Sequence, residues 1–191
     1  MTREYSPLTL TALSHPARVC EPPLPRVTLD DPAFSVMTDL KQVPAATTTR
    51  EEPIEDARAV MMRRGVRLLF VLDAGGAVQG VVTATDLLGE KPMRFMQERG
   101  VARSEVRVGD IMTPASMLEA IALQDIASML VGHVVATIRA VRRQHVMVSE
   151  DDGRRIRGLF SVSRIARQLG VELNTTEVAS TFADIEAALG R

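Results

Sequence analysis

Two junctions in this chain gather hydroxyl groups where a strand hands over to a helix. The first is Gly80-Val81-Val82-Thr83-Ala84-Thr85-Asp86, inside VLDAGGAVQGVVTATDLLG (71–89). The second is Gly158-Leu159-Phe160-Ser161-Val162-Ser163-Arg164, inside VSEDDGRRIRGLFSVSRIARQLG (148–170). A carboxylate such as Asp86 accepts hydrogen bonds from both hydroxyls of a cis-diol. The start of a helix offers unpaired N–H groups to a phosphate. The chemistry on offer is recognition of a small molecule. A plainer role stands beside it, because Thr85 and Ser163 occupy positions where helix N-caps belong.

The sequence offers no set of residues for catalysis. His15, His133 and His145 lack metal-ligand spacing and have no Cys or acidic cluster beside them. No Ser-His-Asp or Cys-His grouping can be built from them. Gly75-Gly76 reads as a hairpin turn, and no GxxxxGK[ST] phosphate loop occurs.

Composition narrows the class further. Of 191 residues, 46% are hydrophobic, 25% charged and 3% aromatic, which describes a soluble globular protein whose core is Val, Leu, Ile, Ala and Met. The ten methionines are adaptable packing, suited to a cleft that changes shape. A net charge of −1 provides no field to attract nucleic acid or an anionic membrane, and the scarce aromatics provide no base-stacking platform. Basic clusters at Arg63-Arg64, Arg142-Arg143 and Arg154–Arg157 read as solvated faces. The lone Cys20 permits no internal disulfide and fits a reducing compartment. No signal peptide and no run of about 18 apolar residues is seen, so a cytoplasmic location with no membrane span is expected.

The elements that must position the two junctions follow from pattern. Residues 1–31 hold five of the ten prolines and are expected to run as an extended arm. Its apolar residues (Leu8, Leu10, Leu13, Val19, Leu24, Val27, Leu29) are too many for a free tail, so the arm should pack on the body or on a partner subunit. Val36–Asp39 reads as a helical turn and Val43–Thr49 as an extended segment. Glu51-Glu52-Pro53 opens a helix over 54–64, with Ile54, Ala57 and Met61 on one face and Gly65 as its stop. Strands at 67–72 and 77–82 flank the turn Asp73–Gly76, and a helix begins at Thr85 or Asp86. Residues 92–106 form a connector with a helical turn or two around Met93–Arg99.

The pattern then repeats. Ile111-Met112-Thr113 answers Val36-Met37-Thr38, Gln144–Val148 answers Arg67–Val71, and Gly158 answers Gly80. The copies are 32–91 and 107–170. Matching Asp125 to Asp56 leaves 23 residues before Val148 against 15 before Val71. With apolar residues at 126, 130, 134, 138 and 141, this predicts one lengthened helix over 124–143. After Gly170, a tail (171–191) carries a short helix capped by Ser180.

This arrangement resembles a tandem of cystathionine-beta-synthase (CBS) domains, a Bateman module. The likeness rests on VMTD (36–39), DIMTP (110–114), FVLDAGGAVQGVVTATDLL (70–88) and VMVSEDDGRRIRGLFSVSRIARQLG (146–170), spanning about 32–170. It implies an α+β fold in which two αβ repeats pack sheet to sheet around a pseudo-twofold axis, leaving two clefts. An extended arm and a short C-terminal helix are added. It also implies an adenine-containing ligand (AMP, ADP, ATP, S-adenosylmethionine or a dinucleotide), a regulatory role, no required cofactor, a homodimer and an effector protein.

The family motif is Gly, two apolar residues, Ser/Thr, any residue, Ser/Thr, then Asp. The first copy matches it in full at Gly80, Thr83, Thr85 and Asp86. By resemblance Asp86 would hold ribose, with Thr83 and Thr85 near ribose or phosphate. Arg142 or Arg143 and His145 would stand on the opposite wall. The second copy keeps Gly158, Ser161 and Ser163 but replaces the acid with Arg164. That cleft would hold a phosphate, or be filled by Arg164 reaching an acid. The function expected is a stand-alone sensor of an adenosyl ligand that is not an enzyme. The alternative is an interaction module with empty clefts.

Overall fold

The computed structural model describes residues 8–13, 17 and 26–171. Two sheets face each other, each with helices on its outer side. One sheet contains β2 (Thr47–Thr48), β3 (Leu68–Leu72), β4 (Val78–Thr83) and β5 (Thr113–Pro114), in that order. The other runs β1 (Thr38–Asp39), β8 (Arg155–Ser161), β7 (His145–Glu150), β6 (Ala120–Ala122). Leu68, Phe70, Val81 and Met147 are buried between the sheets, and two larger apolar clusters lie under the helices of each repeat. The VLDAGGAVQG hairpin forms as expected. Asp73 Oδ1 accepts from the N–H groups of Gly75 and Ala77, and Gly76 takes φ 81°.

Each sheet takes one edge strand from the other copy. β1 of the first copy pairs with β8 of the second, with Asp39 opposite Gly158. β5 of the second pairs with β4 of the first, with Pro114 opposite Gly80. These crossings explain the two glycines. A Cβ on Gly80 would lie 2.4 Å from the Thr113 carbonyl oxygen, and one on Gly158 would lie 2.7 Å from that of Thr38. Because β1 is strand, the helical turn expected at 36–39 is not there. A short turn of 3-10 helix at Ala33–Val36 precedes it instead. The extended segment expected at 43–49 narrows to β2.

Helix α1 (Ile54–Arg64) matches its expected bounds, buries Ile54, Ala57 and Met61, and ends at Gly65 with φ 62°. The junction helix α2 (Ala84–Leu88) is followed directly by α3 (Glu90–Arg99), so the connector carries nearly three turns of helix, and α4 (Val108–Ile111) leads into β5.

The single helix expected over 124–143 is instead two, α5 (Leu123–Ile126) and α6 (Val131–Val141). The break is built by the segment before the first repeat. The N–H of Val131 donates to the Asp31 carbonyl (2.8 Å) and that of Gly132 to Leu29 (2.9 Å). The N–H of Ala33 donates to Met129 (2.8 Å). Leu130 is extended and its N–H donates to His133 Nδ1 at 3.1 Å. Donors that a continuous helix would use internally are thus taken from outside. Gly132 and the β-branched run in α6 weaken the continuous alternative. With the break in place, α6 equals α1 at 11 residues, and Arg142, at φ 51°, stands where Gly65 stands in the first copy.

The part of the arm that reaches the body also ties to the second repeat's last helix, α7 (Val162–Gln168). Val27 is buried and its N–H donates to the Gln168 carbonyl. Leu8, Leu10 and Leu13 are exposed and do not pack on this chain. Val19, Leu24, His15, Cys20 and the helix expected after Ser180 lie outside the described residues.

Candidate functional site

At the first junction, β4 ends and α2 begins with Thr83, not Thr85, as N-cap. Thr83 Oγ1 accepts from the Asp86 N–H at 3.3 Å. Asp86 Oδ2 accepts from the Thr83 N–H (2.8 Å) and hydroxyl (2.7 Å), closing a capping box. The other oxygen, Asp86 Oδ1, is 2.6 Å from Lys91 Nζ, which also donates to the Ile111 carbonyl. Both carboxylate oxygens therefore have partners within the chain. Thr85 is exposed. Arg143 pairs with Glu119 at 2.9 Å, and Gly80 is enclosed by β5. Of the six residues expected at this cleft, Thr83 and Asp86 are joined by hydrogen bonds.

The second junction opens onto a cavity of about 520 Å³. Ser161 and Ser163 line it, their hydroxyls 3.1 Å apart, with Arg164, whose Nη1 donates to Thr38 Oγ1 at 3.3 Å. Ser161, not Ser163, holds the N-cap position of α7, and its hydroxyl makes no capping bond. The opposite wall comes from the first copy: Thr38 to Ala46 and the end of α1 with the start of β3. That wall brings Arg64 and Arg67 to face Arg164 and Arg167, and among the described residues no carboxylate lines the cavity.

His145 belongs here rather than to the first cleft. It starts β7 opposite Ser161, lines the cavity, and its buried Nδ1 has no hydrogen-bond partner. Burial, and then the Arg67 charge, hold its pKa down at about 4, with Asp86 opposing. The ring is therefore neutral near pH 7.

Sequence reasoning did not find Lys91, Arg64, Arg67 or Arg167. Arg63-Arg64 was visible only as a basic pair on a helix end. The fold alone places the end of α1 across from α7. A wider opening of about 770 Å³ lies between the two hairpins, floored by Phe70, Met147 and Leu118, and lacks either junction's hydroxyl pair. Among the described residues no helix is long and apolar enough to cross a membrane.

Residues 34–92 match the family model of the CBS domain. The fold is similar to that of an uncharacterized conserved protein from Pyrococcus horikoshii (TM-score 0.56, 22% identity, covering 78% of this chain and 100% of that one). It is similar to CBSX2 of Arabidopsis thaliana in complex with AMP (TM-score 0.52, 20% identity, 72% and 94% covered). A CBS-domain containing protein from Agrobacterium tumefaciens is also similar (TM-score 0.53, 19% identity, 71% and 91% covered). No curated protein matches the chain significantly. Residues 34–92 are a CBS domain, and the chain has the fold of a tandem CBS pair, a Bateman module.

Proposed function

We propose that this chain is a regulatory module that binds an adenine-containing ligand between its repeats and passes that occupancy to a partner protein. The observation that carries the reading is the second junction, where paired hydroxyls face the other repeat across a cavity large enough for a ligand of nucleotide size. The structurally similar CBSX2 is described in complex with AMP, which supports the ligand class. The first junction, with Thr83, Thr85, Asp86 and Arg143, is a second binding position once Lys91 and Glu119 let go of their partners. No reaction is assigned to the module. A homodimer would let the exposed leucines of the arm find cover. A signal requires the ligand to bind one arrangement of the repeats better than another.

Thermal unfolding with AMP, ADP, ATP, S-adenosylmethionine and NAD tests the reading. A ligand present at a hundred times its dissociation constant should stabilise the chain by about 2.7 kcal/mol. An unchanged melting temperature with all five would leave the second reading, an interaction module whose clefts are closed by its own side chains. The Lys91–Asp86 pair is the observation that favours it.

A further inference from the structure

We propose that the cavity at the second junction is a polyphosphate site, selecting its ligand by a linear chain of two or more phosphates instead of by ribose. The inference deepens the adenine-ligand reading and rests on it for the nucleoside part only.

Four arginines converge on one cavity of about 520 Å³, Arg64 and Arg67 from the first copy, Arg164 and Arg167 from the second. Among the described residues no carboxylate lines it. Arg64 donates to the Ala45 carbonyl and Arg164 to Thr38 Oγ1, both neutral acceptors, and neither forms a salt bridge among the described residues. Like charges so gathered repel one another, and an anion of matching charge relieves them. Guanidinium groups suit this role because their fork of donors fits phosphate oxygens two at a time. A monophosphate carries too little charge for four of them, whereas a triphosphate matches.

One further feature points the same way. The ribose clamp is gone, since Arg164 holds the position that Asp86 holds in the first copy. The Ser161 and Ser163 hydroxyls and Thr38 Oγ1 add neutral donors along the same wall. The first cleft is the internal contrast: its arginine, Arg143, is already paired with Glu119. S-adenosylmethionine, with a sulfonium cation and no phosphate, is the wrong ligand for this cavity.

Calorimetric titration of the full chain with inorganic tripolyphosphate, ATP, AMP and S-adenosylmethionine tests the site. Tripolyphosphate and ATP should both bind, ATP at least tenfold tighter than AMP, and both should weaken as salt rises. Arg164→Asp and the double variant Arg64→Gln/Arg167→Gln, all at exposed positions, should each lose at least tenfold in tripolyphosphate affinity while melting near the parent temperature. The idea is overturned if tripolyphosphate does not bind, if AMP or S-adenosylmethionine binds as tightly as ATP, or if the variants leave affinity unchanged. Tripolyphosphate binding as well as ATP would uphold this site while removing adenine recognition. Adenine-ligand binding lost in Asp86→Ala but untouched by the arginine variants would do the reverse.

Discussion

Lys91 Nζ sits 2.6 Å from Asp86 Oδ1, so the carboxylate that completes the first junction's motif is held by the next helix of its own repeat. Lys91 is half exposed, and such pairs are worth at most about 1 kcal/mol. A ligand diol could therefore displace it at little cost. Lys91→Met is expected to raise AMP affinity at this cleft by up to about fivefold. Titration of the variant beside the parent checks this, and weaker binding would show that Lys91 assists the ligand.

Thr83 and Asp86 stabilise α2 whether or not a ligand binds. Thr83→Ala and Asp86→Ala should each lower stability by about 1 kcal/mol, the usual cost of a lost N-cap. The double variant should lose less than the sum, because both act in one box. Thr85→Ala, at an exposed position, should stay within about 0.5 kcal/mol of the parent. Urea unfolding decides. A larger loss at Thr85 than at Thr83 would place the cap wrongly.

His145 makes stability depend on pH. Its folded pKa of about 4 lies below the ordinary 6.5, so the unfolded chain binds the extra proton first. Its contribution is complete above pH 6.5 and is lost as pH falls towards 4. The size is on the order of 3 kcal/mol, from about 1.4 kcal/mol per unit. Denaturant unfolding at pH 7 and pH 5 should show a smaller drop in His145→Gln than in the parent. Equal drops would mean the ring is not the sensitive group.

The crossing strands leave no room at Gly80 or Gly158. Because the obstructing atom in each case is a backbone oxygen, Gly80→Ala must push β5 from its sheet, and Gly158→Ala must push β1. Each should cost more than about 2 kcal/mol, the range of overpacked cores. A calorimetric melting temperature close to the parent's would contradict the close approach.

Arg142 holds a left-handed conformation at the end of α6 that Gly65 holds at the end of α1. Arg142→Gly should stabilise by about 0.5–1 kcal/mol, and Gly65→Ala should destabilise by a similar amount. Opposite signs in thermal unfolding are the expected outcome, and two losses would mean Arg142 contributes contacts that outweigh its strain.

The local grammar of the chain was legible from residue types. The acids and Pro53 before Ile54, with Gly65 after Arg64, mark both ends of α1. The Asp73–Gly76 turn and the apolar runs around it mark the first hairpin. Those signals act within a few residues, and no distant contact overrides them. The break at Leu130 was hidden, because the apolar period runs straight through it. The donors that end the helix are satisfied by Asp31 and Leu29, about a hundred residues away in the chain. Thr83 and Ser161 were missed as caps for a smaller reason, since a strand's last residue and a helix's cap are one position.

The duplicated αβ pattern, the two junctions and the exchange of an acid for Arg164 are written in the residue types, because local propensity and side-chain chemistry need no partner. What those junctions face follows from long-range packing. Strand exchange carries the end of α1 to the second junction and sets four arginines and His145 around one cavity. Helix α3 brings Lys91 onto Asp86. Charge that is dispersed along the chain becomes a site only where packing brings its members to one cavity.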